Sequence, residues 1–207
     1  MIERAHTVPV VSVVGKGDSG KTTFLEKLIR ELSNRGVHVA TVKHHVHDYD
    51  IDVPGKDSWR HARAGAVTTM VSSPDKFSLI SRVEHERTLP ELAHIAADSG
   101  ADILLTEGYK REATTRIEIA RRARSESLIS AAEDLIALVT DMPELAPQGV
   151  PAFGLDDASA VADLITDRYL AAVSGGGAAR SSAGAKGAED CLSTASLPGT
   201  ASGKEAS

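Results

Sequence analysis

Aromatic residues make up only 3% of this 207-residue chain, and it contains a single cysteine, Cys191. So few aromatics leave little from which to build the stacking platforms on which single-stranded nucleic acids lie. One cysteine excludes an internal disulfide and any metal site made with two thiolates. There is no basic excess either. The net charge of −6 speaks against a nucleic-acid partner, which selects a positive face. No apolar run approaches the roughly 18 residues of a membrane-crossing helix, and the start lacks a basic-then-apolar leader pattern. These absences point to a cytoplasmic protein with neither nucleic acid nor membrane as partner. The length suits one substantial core and hardly two.

Large apolar side chains also run out towards the end. From Ala171 to Ser207, 24 of 37 positions are Gly, Ala or Ser, which is too little apolar surface to offset the entropy of ordering. The expectation is one domain over residues 1–170 and a disordered Gly/Ala/Ser-rich tail over 171–207, with Cys191 an incidental thiol in it.

Against these absences stands Gly15-Lys16-Gly17-Asp18-Ser19-Gly20-Lys21-Thr22, which matches the phosphate-binding loop pattern G-x-x-x-x-G-K-[ST]. Its flanks are right for that chemistry. Val8 to Val14 reads as a buried strand leading in. Phe24, Leu25, Leu28, Ile29 and Leu32 then recur at helical spacing, and Gly36 stands where a helix stops. In such a loop, successive backbone N–H groups and the helix N-terminus hold phosphate. Lys21 reaches the β- and γ-phosphates, and the Thr22 hydroxyl sits on Mg²⁺. Gly15, Gly17, Asp18, Ser19, Gly20, Lys21, Thr22 and Thr23 are therefore the candidate nucleotide-binding residues.

Downstream, strands are expected over 37–43, 66–72, 77–82, 103–106, 116–120, 135–140 and 150–155. The pair 66–72 and 77–82 reads as a hairpin turning through Ser73-Pro74-Asp75. Helices are expected over 56–64, 88–98 (opened by Thr88-Leu89-Pro90-Glu91) and 156–169. Strands alternating with helices predict an α/β fold with a doubly wound, mostly parallel sheet.

In such a sheet, ligands bind at the carboxyl ends of the strands. Asp102 begins its strand and Glu107 ends it, about 16 Å away at 3.3 Å per residue. Glu107 is thus the acid that can face the phosphates, hold a Mg²⁺-bound water or polarise the attacking water. The loop after the second strand is dense in charge. Asp50 and Asp52 are candidates for Mg²⁺ or its waters, and His44, His45 and His47 invite a zinc or nickel reading. The alternative is that these histidines are polar loop residues. Lys56, Arg60, Lys110 and Arg111 read equally as a basic pocket for a second phosphorylated ligand or as solvated charges. Asp141, after the strand 135–140, can accept two bonds from a guanine edge, although the Asn/Thr-Lys-x-Asp signature of many GTPases is absent.

Three segments together resemble one family. They are Gly15 to Thr23, the run Thr41-Val42-Lys43-His44-His45 through Asp52-Val53-Pro54-Gly55-Lys56-Asp57-Ser58-Trp59-Arg60 to Ala66, and Leu105-Thr106-Glu107-Gly108-Tyr109-Lys110. Over roughly residues 8–170 the chain resembles the molybdopterin-guanine dinucleotide biosynthesis adaptor protein B family (MobB). The resemblance implies a P-loop nucleoside triphosphate hydrolase fold of the signal-recognition/MinD-like class. It also implies GTP and Mg²⁺ as cofactors, weak GTPase activity and a homodimer. The implied partner is the guanylyltransferase that attaches GMP to molybdopterin, with molybdopterin as a further ligand. Lys21, Asp52 and Glu107 would then be the catalytic residues, with Thr22, Asp52 and Glu107 at the metal. Two other readings remain open at this point. The three histidines fit a nickel-insertion GTPase, and Lys16 gives a Gly-Lys-Gly pattern similar to the ParA/MinD-like ATPases, where that lysine reaches a partner's nucleotide.

Overall fold

The computed structural model describes residues 7–45, 49–109 and 113–171. The expected tail, Cys191, His47, Lys110 and Arg111 lie outside them. Six strands form one parallel sheet: β1 (Val10–Val14), β2 (Val39–Lys43), β5 (Ile103–Glu107), β6 (Arg116–Ala120), β7 (Leu135–Thr140) and β8 (Ala152–Phe153), the numbers following chain order. Their spatial order is β2-β5-β1-β6-β7-β8. From β1 the chain moves outward to one side, and after β5 it crosses to the other. That reversal places a crevice at the carboxyl end of β1, between β5 and β6.

Side-chain alternation along the strands covers both faces of the sheet. Val11, Val13, Leu105, Ile117 and Val139 pack with helices α1 (Lys21–Asn34) and α4 (Ala158–Ile165). Val10, Val42 and Leu104 turn the other way, with α3 (Leu89–Asp98). Leu28 and Leu32 of α1 are wholly buried, each contributing roughly 1.5–3 kcal/mol by leaving water. Helix α1 ends where Gly36 takes φ +80°. There the Gly36 N–H donates to the Ser33 carbonyl and the Val37 N–H to the Leu32 carbonyl, the paired bonds of a Schellman stop. Helix α3 opens with a capping box between Thr88 and Glu91.

The expected hairpin is formed. Strands β3 (Thr68–Ser72) and β4 (Phe77–Ser81) pair antiparallel, and the turn is closed by the Ser73 hydroxyl, which accepts the Lys76 N–H and donates to Asp75. The pair stands apart from the main sheet, beside the short helix α2 (Asp57–Arg63). Met70, Val71, Phe77 and Leu79 on it are all exposed.

Two ends differ from the sequence expectation. Strand β8 has two residues instead of six, because the Gly154 N–H turns to the Asp157 carboxylate and directs the chain into α4. The last helix loosens into a π-turn at Thr166–Leu170, where the Thr166 hydroxyl donates to the Ala162 carbonyl and competes with the regular ladder. No described helix is long and apolar enough to cross a membrane.

Candidate functional site

The loop between β1 and α1 is shaped by residues with positive φ: Gly15 at +150°, Asp18 at +55° and Gly20 at +95°. Asp18 is the one non-glycine of this kind among the described residues, and left-handed turns of this sort form anion-binding concavities. Gly15 is required by contact as well as by conformation, since a Cβ there would stand 2.5 Å from the Ile119 carbonyl oxygen of β6. Lys21 folds back along the loop, and its ammonium donates to the Lys16 carbonyl at 2.8 Å. Among the described residues the buried Ser19 hydroxyl has no hydrogen-bond partner, and it lies 2.7 Å from the Cβ position of Gly15, inside the curl. Thr23, one residue beyond Thr22, is exposed on the first turn of α1.

β5 pairs with β1 so that Glu107 lies level with Val13. The Thr22 hydroxyl is 3.0 and 3.1 Å from the two Glu107 carboxylate oxygens. Lys43, at the end of β2, is 3.5 Å from the same carboxylate. The structure therefore joins Thr22 and Glu107 beside the loop. It holds Asp102 at the opposite end of β5, where its carboxylate accepts from the His38 N–H at 2.9 Å.

Asp52 is held elsewhere. Its Oδ1 accepts from the Val53 N–H at 2.9 Å and the Ser58 hydroxyl at 3.0 Å, and its Oδ2 is buried without a partner among the described residues. It lines a cleft of about 910 Å³ with Trp59, Arg63, Thr69, Ile80 and Arg82, between α2 and the hairpin. The Arg63 guanidinium lies 5.6 Å from the Trp59 ring centre. His44 Nε2 lies 2.7 Å from a Glu86 carboxylate oxygen, which accepts, and the ring packs near Tyr109, while His45 faces Tyr49. Among the described residues no three of His, Cys, Asp and Glu gather as metal ligands. Asp50 also lines the cleft, and Arg60 faces Asp57 at 3.5 Å.

On the other flank of β1, the segment after β6 runs past the loop. Asp141, at the end of β7, accepts the Arg122 N–H through Oδ1 at 2.8 Å. Glu118 is buried, and it accepts the N–H groups of Ile129 and Ser130 at 2.8 and 2.9 Å. Lys16 donates to the Ser127 hydroxyl of this segment at 3.4 Å. Arg121 reaches the N-cap of α1, its Nη1 3.7 Å from where a Cβ on Gly20 would stand. Sequence reasoning passed over Arg121. The rule that singled out Glu107, a position just past the carboxyl end of a strand, applies to it equally once β6 is known to adjoin β1.

Comparison with known proteins agrees with this architecture. A profile of the family described as "Molybdopterin guanine dinucleotide synthesis protein B" matches residues 10–141. The chain is 33% identical over 165 residues to a molybdopterin-guanine dinucleotide biosynthesis adapter protein of Escherichia coli, covering 77% of this chain and 93% of that one. It is 32% identical over 138 residues to the adapter protein of Haemophilus influenzae, covering 67% and 78%. Among solved structures, MobB of Bacillus subtilis superposes with a TM-score of 0.61 at 29% identity, covering 78% of this chain and 98% of that one. A MobB homolog from Bacillus stearothermophilus superposes at 0.54 with 27% identity, covering 76% and 95%. With a loop, an acid and a sheet order that this likeness accompanies along most of its length, the chain belongs to the molybdopterin guanine dinucleotide synthesis protein B family.

Proposed function

We propose that this protein is an adapter of molybdopterin guanine dinucleotide biosynthesis that binds GTP and hydrolyses it slowly. The observation that carries the reading is the meeting of Lys21, Thr22 and Glu107 at the carboxyl ends of β1 and β5. The donor set fits Mg²⁺, which takes few protein oxygens and keeps several waters. The Thr22 hydroxyl and the Glu107 carboxylate would hold it, and its role there is to neutralise phosphate charge. Lys21 exchanges the Lys16 carbonyl for the β- and γ-phosphates. Glu107 orients the water that attacks the γ-phosphorus, as the bond to the β–γ bridging oxygen breaks and GDP leaves with that electron pair. The cation beside Glu107 is Lys43, not an arginine finger, whose contribution of about 10³ to 10⁵ in rate a slow enzyme lacks. Asp141 keeps its second oxygen for the guanine edge. For molybdopterin, the cleft offers the unpartnered Asp52 Oδ2 and the Trp59 ring to a pterin's donor edge and face.

The partner is the guanylyltransferase that joins GMP to molybdopterin. A homodimer accounts for the exposed apolar side chains of the hairpin, which a second copy covers. Sedimentation as a monomer at micromolar concentration counts against that dimer.

Calorimetric titration with Mg·GTP and Mg·ATP tests the nucleotide reading. GTP binds more tightly, and Lys21→Ala abolishes binding or weakens it by orders of magnitude, because a charge-assisted bond to phosphate is lost. Unchanged affinity in Lys21→Ala refutes the phosphate loop. Preference for ATP moves the reading to the ParA/MinD-like ATPases, and stoichiometric nickel binding moves it to metal insertion.

A further inference from the structure

The segment after β6 is fastened at both ends and carries an arginine to the loop. Asp141 accepts the Arg122 N–H at its start. The buried Glu118 accepts two N–H groups at its far end. Arg116, at the start of β6, pairs with Asp134 at 2.9 Å, and on the segment itself Arg122 pairs with Glu144 at 2.6 Å. Arg121 and Arg124 have no carboxylate partner among the described residues, and of these two Arg121 is the one that lies against Gly20, the residue preceding Lys21. β1 lies between β5 and β6. The loop therefore has an acid, Glu107, on one flank and an unpaired cation, Arg121, on the other. Inside the loop the buried Ser19 hydroxyl lacks a partner among the described residues, a polar group whose desolvation costs free energy until something accepts from it or donates to it.

We infer that Arg121 is a nucleotide-binding residue of this chain, its guanidinium closing the phosphate loop from the β6 side and pairing with the diphosphate group of a bound nucleoside di- or triphosphate. This rests on the nucleotide reading above. The phosphate oxygens are the missing partner of the guanidinium, whose planar fork suits two of them at once. The β6 segment is then part of the site, with Glu118 and Asp141 setting the position of the cation.

The test compares the full-length protein with Arg121→Ala, Arg121→Lys and, as a control on the same segment, Arg124→Ala. Titration with GDP and with Mg·GTP gives Kd for each. Arg121→Ala weakens both ligands about tenfold, the low end for a charged hydrogen-bonding group because the side chain is exposed. Arg121→Lys recovers part of the loss, since a point charge replaces a fork. The difference from the unaltered protein shrinks in high salt as exposed charges are screened. Arg124→Ala binds as the unaltered protein does. Equal Kd for Arg121→Ala and the unaltered protein overturns the assignment. So does an equal loss in Arg124→Ala, which would mean surface charge rather than contact. If the unaltered protein binds neither GDP nor GTP, the nucleotide reading itself fails.

Discussion

Gly15→Ala probes the close approach of the glycine-rich loop between β1 and α1 to β6 without touching a charged group. The added Cβ would stand 2.5 Å from the Ile119 carbonyl oxygen and 2.7 Å from the Ser19 hydroxyl. Carbon–oxygen contacts across well-packed strands run at about 3.3–3.6 Å, so β1 and β6 have to part by about 0.8 Å. The oxygen belongs to backbone and cannot swing aside. The φ of +150° adds strain of about 1–3 kcal/mol for a residue with a side chain. Forcing a methyl into packed surroundings adds about 1–3 kcal/mol more. A loss of roughly 2–6 kcal/mol follows, against a typical total of about 5–15 kcal/mol. Gly17→Ala is the matched control, because a Cβ there meets nothing within 4 Å and its φ is not positive. It shifts stability by no more than about 0.5 kcal/mol. Urea unfolding of both variants, followed by circular dichroism, gives the two midpoints at a common slope. The reasoning fails if Gly15→Ala costs less than about 1 kcal/mol, or if Gly17→Ala costs as much.

Glu118→Ala leaves the Ile129 and Ser130 N–H groups without their buried acceptor, costing about 2–4 kcal/mol. Trypsin then cuts faster at Arg121, Arg122 and Arg124, and unchanged cleavage would show that the carboxylate does not fasten the segment. Glu91 is held at a pKa of about 2 by the Thr88 N–H first, then by the Arg87 and Thr88 side chains. A depressed carboxyl pKa contributes stability that is present above about pH 4.5, its value of 4.5 when unperturbed, and is lost as pH falls through about 2. Amide protection in the first turn of α3 therefore declines between those values, and Glu91→Ala removes the pH dependence. A decline of equal shape in Glu91→Ala assigns it to another group.

Most of the fold was legible because each element carried local signals that agreed with its neighbours. The glycine loop had a strand before it and a helix after it. Thr88 to Glu91 announced a helix start, and Ser73 to Asp75 announced a hairpin. Glu107 followed from strand direction alone. Glu118 and Arg121 were harder for a common reason. In Arg116-Ile117-Glu118-Ile119-Ala120, alternation reads Glu118 as a solvated charge, and only the segment folded back from 121–130 buries it. Arg121 gains its place from β6 lying next to β1, a neighbour relation set by the whole sheet and absent from any window of sequence. The tie between Asp52 and Ser58 is local, yet the loop's sequence does not single out Asp52 over Asp50 or Asp57 as the carboxylate that accepts from Ser58.

Lys21 donating to the Lys16 carbonyl and Thr22 donating to Glu107 mean that the loop is knit together by its own groups. On the proposed nucleotide reading, an arriving phosphate swaps partners with groups that are in place, instead of ordering a slack chain. The enthalpy of such an exchange is a small difference between similar bonds, and little apolar surface changes hands. Nucleotide capture should then show a small change in heat capacity and an encounter rate that follows ionic strength, the behaviour of a socket rather than of a fold completed by its ligand.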